Sequence, residues 1–507
     1  MRHLSVQTNW LALLNSSIPP SNSSAHPIAQ AWDNDCLKQA QEAVQQEDWS
    51  FATQCLYQSV LQLNVAPSAA TALGSDHQSV LENDIQVIRT LAFQVLEFGD
   101  FQERWDVAKV FSALGTLLTK IDGSTQTRLD THTDHQLESL IAPLIAYLRD
   151  DEYDPELHWF VTRILSEFRE SDVLTALVDL LNTSNKEDLQ EMAATALAGF
   201  GAAAVPALTA LLSSDRSRLL AVQTLAQIRE PACVEPLMQV LHDNDSAIRA
   251  AAIAALGGTR DPRVSTLLVE ALQDPVATVR QAAVTNLGFR ADLLPQMDLV
   301  SVVQPFLEDE NPGVGQQTAI ALGRLGTSAA TVALAAAAQS FQTSPVQIEC
   351  IRALGWINTS AAITALHQVL GHLLASETHP DPANNLAPAD LRLELIKALG
   401  RTKAADLQHQ ATAYLITLLQ SCLPAWQTPE IKQAIALEFS NIGDSSALDP
   451  LLNLAIDPEL SVKLHAIAAL KQLNPTQAHQ RLTAWVTDES ESEFIRREAA
   501  IALQEWG

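Results

Sequence analysis

The chain has 507 residues, 47% hydrophobic but only 5% aromatic, and 31 Lys and Arg against 59 Asp and Glu leave a formal charge of −28 at pH 7. That acid excess repels phosphate backbones, so no nucleic-acid partner is expected, and no apolar run reaches the roughly 18–20 residues of a membrane helix, so no membrane insertion is expected. Five scattered cysteines without a CxxC fit reduced core thiols rather than a disulfide frame or a zinc site, and no signal-type apolar stretch follows Met1, so the expected location is cytoplasmic.

Residues 1–32, containing Ser, Asn and Pro, read as a flexible N-terminal segment. Residues 33–136 read as a helical region of their own. Asp33–Leu63 predicts a helix pair, with Leu37, Ala40, Ala43 and Val44 on one side of the first helix. After a turn at Asp48-Trp49-Ser50, the second carries Phe51, Ala52, Cys55, Leu56, Val60 and Leu63. The stretch 48–57 is similar to part of a tetratricopeptide helix pair, and as a single copy it is expected to act as a cap. Asn64–Ser79 reads as a linker, rich in Ala, Ser and Pro. Leu81–Lys120 reads as a second pair broken at Phe98-Gly99-Asp100, and Ile121–Gln136 as a polar loop.

From residue 137 to 507 a unit of about 31 residues recurs, which is the signature of stacked structural repeats. Its register follows one column: Leu165, Leu197, Leu225, Leu256, Leu287, Leu322, Leu354, Leu399, Phe439, Leu470 and Leu503. The next residue is small in most copies (Gly257, Gly288, Gly323, Gly355, Gly400), which would let a helix press close to the following unit. A glycine there would also suit the left-handed turn that ends a helix. Apolar helical runs begin near prolines, as at Pro143, Pro206, Pro236 and Pro450, where the first turn tolerates the missing N–H. No segment alternates with a period of two. The fold expected is all-α, about 11 helix pairs in a solenoid, since so short a unit must bury its apolar face against its neighbours. An insertion around His372–Asp390 and a looser turn near Ser421–Glu430 stretch two of the units.

Seven positions before each column residue stand His158, Gln190, Arg218, Arg249, Arg280, Gly315, Gln347, Arg392, Lys432, Lys463 and Arg496, mostly basic in an acidic chain. One reading is an internal ladder, in which Asp215, Asp245, Asp274, Asp390 and Asp457 cap second helices and meet the bases. The other is that Arg218, Arg249 and Arg280 line a binding face and grip carboxylates of an acidic protein partner. Trp159, Trp356 and Trp426 read first as buried anchors, although an exposed Trp, with Trp159 the candidate, would be a natural hot spot. No nucleophile, phosphate-binding or metal-ligand motif occurs, so no catalytic residue, metal or cofactor is expected.

Arg249 with Ala251-Ala252, followed by Ala255-Leu256-Gly257, resembles the HEAT-repeat consensus, most closely the short subclass of the cyanobacterial phycobilisome (bilin) lyases. The resemblance covers the repeat region. It implies a right-handed α-solenoid and a protein-binding scaffold or assembly factor; the alternative it implies is a bilin lyase or lyase-type chaperone whose partner is a phycobiliprotein. Such lyases work as pairs of smaller chains, unlike this long one. The iron hydroxylase built on HEAT units carries His-Glu pairs at repeat spacing, and no His-Glu dipeptide occurs here.

Overall fold

A computed structural model describes residues 35–65, 75–124, 134–150, 153–340, 344–378 and 389–506. The N-terminal segment 1–32 and the middle parts of the expected linker and polar loop, 66–74 and 125–133, lie outside these residues. The described residues form 26 α-helices and short 3-10 turns, with no strand among them, so the protein is an all-α solenoid of helix pairs. The chain divides into two compact units, Met1–Phe168 and Arg169–Gly507.

The first unit contains helices Asp35–Gln45, Trp49–Val65, Ser75–Phe98, Phe101–Ser124, Asp134–Arg149 and Pro155–Leu165. Leu37, Ala40 and Ala43 are buried as expected, together with Ala52, Cys55, Leu56, Val60 and Leu63; Phe51 is exposed instead. The break at Phe98-Gly99-Asp100 is made by a reciprocal cap. Glu103 N–H donates to Asp100 Oδ1 (2.9 Å) and Asp100 N–H to Glu103 Oε2 (2.7 Å), which satisfies two donors that the helix start leaves open.

Helix extends further than the polar composition suggests. Asn64 and Val65 close one helix and Ser75–Ser79 open the next, inside the segment expected to be a linker. Residues 121–124 finish the helix from Phe101, and Asp134 begins another, at the two ends of the expected loop. Pro143 does not start its helix but sits within Asp134–Arg149; its ring removes one N–H and the helix continues around it.

The pair 134–165 follows the repeat register, yet it packs within the first unit. Buried Arg104 pairs with Asp154 (3.3 Å) and Glu156 (3.5 Å), and a Cβ on Gly115 would lie 2.4 Å from the Phe168 ring. Gly115 is therefore the seat on which Phe168 rests.

The described residues of the second unit form ten helix pairs, from Ser171–Thr183 with Glu187–Ala198 to Pro475–Thr487 with Glu493–Gln504. Their second helices form a continuous row, each packed on the next. Within this unit the column residues from Leu197 to Leu470 are fully buried, whereas Leu503, in the last pair, is half-buried.

The small position beside the column is explained by close approach alone. A Cβ on Gly288 would lie 2.7 Å from that of Ala321, and one on Gly355 3.0 Å from Ala398 Cα. The left-handed turn falls three residues later than expected, at Arg229 (φ 56°), Gly326 (62°), Asn358 (49°) and Gly443 (79°), all four residues past the column. There each N–H closes on the carbonyl of the column residue, for example Gly326 on Leu322 (3.1 Å) and Gly443 on Phe439 (3.0 Å).

Because each pair packs on its sequence neighbours, damage should stay local. Leu256→Ala should cost ~2–5 kcal/mol. Amide hydrogen exchange should accelerate around residues 225–290 and change little beyond residue 440. Equal acceleration across the second unit would indicate one cooperative core instead.

Candidate functional site

The basic column is an internal ladder in this structure. Arg218, Arg249 and Arg280 reach back to the end of the first helix of their own unit and forward to an aspartate of the next, and Lys432 and Lys463 make the forward contact to a carboxylate. Arg249 donates to the Asp243 carbonyl (2.8 Å) and the Asn244 carbonyl (3.2 Å), and its Nε and one Nη grip Asp274 side-on at 2.8 and 2.9 Å. Arg280 repeats this with the Asp274 and Pro275 carbonyls and with Asp309, at 2.8 and 2.7 Å. Arg218 donates to the Leu212 carbonyl (2.6 Å), to Asp243 (2.9 Å) and to Asp215 (2.6 Å). Lys432 meets Asp457 at 2.8 Å and Lys463 meets Glu498 at 2.5 Å.

Where the column holds an amide, only the backward half remains: Gln190 bonds the Ser184 carbonyl (2.9 Å) and Gln347 that of Ser340 (2.8 Å). These donors satisfy carbonyls that a helix C-terminus leaves without partners. In the first unit, the ring nitrogens of His158 face the carbonyls of Asp154 and Asp150 in the same way.

The ladder is largely shielded from solvent, with the Arg218, Arg249 and Arg280 side chains 22%, 13% and 14% exposed. Burial works to raise the Asp274 pKa, but hydrogen bonds from Arg249 and the Val276 N–H, with the field of the arginines, hold it below the usual aspartate range. For Asp309 the Arg280 hydrogen bond is the largest influence, again downward. The three arginines thus have their donors turned inward.

Trp159 belongs to the first unit. It is half-buried, stacked on Trp105 at 6.1 Å with Phe101 at 6.5 Å, and Arg163 lies over the Trp105 ring at 4.4 Å. Trp426 is fully buried as expected. Trp356 is not: it lies in the last turn of Ser344–Ile357 and is 48% exposed.

Trp356 marks a surface that the ladder does not use. Two residues past the column, successive units carry Gly258, Phe289, Arg324 and Trp356, on the edge formed by the ends of the second helices. Phe289 is 63% exposed and the Arg324 guanidinium lies 4.0 Å from its ring centre. Gly258 leaves the same position empty, with nothing within 4 Å of where a Cβ would be. An open groove of about 940 Å³ lies there, floored by Ala226, Ala251, Ala254 and Ala255 and bordered by Arg229 and Arg260 with Glu230 and Asp261. Composition alone gave no hint of this edge. The signal in the sequence was the Gly-Phe-Arg-Trp series at one register position, which becomes meaningful only once that position is known to face solvent.

The chain belongs to the HEAT-repeat family, whose model matches residues 141–220, 205–288, 300–377 and 426–504. No curated protein matches it. Among solved structures it is similar to Kap121p bound to Pho4p and to Kap121p bound to Nup53p. Both match at 14% identity with a TM-score of 0.53 over 95% of this chain. The chain spans 58% and 57% of the length of those two Kap121p chains, and at that identity the likeness concerns the fold.

Changing Arg218, Arg249 and Arg280 together to Ala should lower the thermal midpoint, with ~1–3 kcal/mol lost locally per arginine, because each leaves a carboxylate and helix-end carbonyls without donors. Asp274 and Asp309 titrate lower in the folded than in the unfolded chain. Their contribution to stability is therefore complete above the unfolded value of about 4 and is lost as pH falls below it. A denaturation series from pH 7 to 3 should show this loss in the wild type and a shallower one in the triple variant.

Proposed function

We propose that the second unit is a docking scaffold for a protein partner, held along the edge that carries Phe289, Arg324 and Trp356. The exposed Phe289 and Trp356 are the observation that carries this reading. Large aromatic side chains left half in water cost solvation, whereas aromatic and Arg side chains dominate binding energy once a partner covers them. Kap121p supports the reading by analogy of fold, since solved structures hold it with Pho4p and Nup53p. Such a scaffold needs no catalytic group and no cofactor, and its proposed place of action is the cytoplasm.

A second reading rests on the repeat consensus around Arg249–Gly257: the partner is a phycobiliprotein, and the chain a lyase-type chaperone of the phycobilisome. There the exposed aromatic rings would lie against a linear tetrapyrrole or the protein that carries it.

Capture experiments separate these readings. Immobilised wild type should retain a defined protein from an extract of the cells that make it, and the double variant Phe289→Ala, Trp356→Ala should retain at least tenfold less while melting at the wild-type temperature. Equal retention by the variant would place docking elsewhere. Coloured phycobiliprotein among the retained proteins, or a red-shifted spectrum on mixing with phycocyanobilin, would favour the second reading; an uncoloured partner would favour the first.

A further inference from the structure

Most arginines of the second unit are neutralised from within. Besides the ladder, Arg263 pairs with Glu235 and Asp261, Arg290 with Asp292, Arg352 with Glu349 and Glu394, Arg401 with Glu394, and Arg481 with Asp449. Among the described residues, Arg229, Arg260 and Arg324 are exposed and have no carboxylate within ion-pair distance; Arg216 shares this, but its guanidinium is taken up by the carbonyls of Thr183 and Ser184. Arg324 rests on the Phe289 ring. Arg260 lies in the field of Asp292, but that carboxylate is already bonded by Arg290 (2.9 Å).

All three stand on the same edge. Arg229 and Arg260 occupy equivalent turns of adjacent units, four residues past Leu225 and Leu256, and border the alanine-lined groove; Arg324 follows two units later. Glu230 and Asp261 line the same groove, but Asp261 is already bonded by Arg263 (2.9 Å), so the three arginines outnumber the carboxylates left free on this edge, against the charge of −28 carried by the whole chain.

We propose that the groove binds an extended acidic segment of the protein partner, laid across the units with its carboxylates on Arg229, Arg260 and Arg324. This rests on the docking reading above and names the chemistry of its occupant. Neighbouring units stack about 8–10 Å apart, the reach of about three residues of extended chain at ~3.3 Å each. The segment therefore carries acidic residues in a three-residue register, about three apart at Arg229 and Arg260 and about six further on at Arg324. The alanine floor accepts small apolar side chains between them, Asp261 at its border is held by Arg263, and Phe289 takes a larger side chain. The overall charge of −28 repels an acidic chain from the rest of the surface, so these arginines also set its register.

The test is fluorescence anisotropy on the full chain with three labelled 15-residue peptides of Ala and Leu, carrying Glu, Lys or Gln at every third position, and a labelled 15-nucleotide oligothymidine. The Glu peptide should bind tightest and weaken as salt rises from 50 to 300 mM. Changing Arg229, Arg260 and Arg324 to Ala should weaken it about tenfold with the thermal midpoint unchanged, since none of the three is in the ladder. Equal or tighter binding of the Lys or Gln peptide would overturn the acidic occupant and leave the docking edge standing if Phe289→Ala weakens that peptide. Preference for the oligonucleotide, an unaltered affinity in the triple variant, or no peptide binding at all would each overturn the proposal. The Phe289, Trp356 capture experiment decides the docking reading separately.

Discussion

A helix pair of about 31 residues has too little interior to hold itself together, so everything in the second unit depends on how closely one second helix lies on the next. That closeness is set by single positions. Gly288 faces Ala321, Gly355 faces Ala398, and there is no room for a larger side chain at either. With the backbones this near, the column leucines close into a continuous apolar row, and the polar groups at the helix ends come within reach of the neighbouring unit.

The ladder follows from that spacing. An arginine at a fixed register position can touch the carbonyls ending its own first helix and the aspartate of the next unit only because the units repeat at a constant separation. Arg249 and Arg280 do so with nearly superimposable bond sets. One aspartate thus serves two neighbours, since the Asp274 carboxylate accepts from Arg249 while its backbone carbonyl accepts from Arg280. Charge is used up inside the unit, and this sets the edge apart. Arg229 and Arg260 lie just past helix ends and Arg324 in the last turn of its helix, and none of them is paired with the aspartate row.

The aromatic residues divide along similar lines. Trp426 fills the interior, Trp159 and Trp105 stack on each other in the first unit, and Phe289 and Trp356 remain on the surface. A bare residue type does not distinguish these fates. Trp356 follows a glycine whose small size brings the backbone close to Ala398, which leaves the next side chain pointing outward from the last turn.

Much was readable without coordinates: the all-α class, the helix pairs, the column from Leu165 to Leu503, and both ways of satisfying the basic column. These are local or periodic properties, and a hydrophobic period of one helix turn inside a period of about 31 residues states them directly. Periodicity misplaced the left-handed turn, because a glycine suits either close approach or positive φ and only the packing shows which one Gly257 and Gly288 serve. It grouped residues 137–165 with the repeats, where the HEAT-repeat match also begins, and gave no sign that Arg104 and Phe168 pack them within the first unit. It left two readings open for Arg218, Arg249 and Arg280, a ladder or a partner-binding face, and gave no sign of Arg229, Arg260 and Arg324. Spacing along the chain determines which residues share a register; which of them meet a counter-charge is decided by distances between units, and only the tertiary structure holds those.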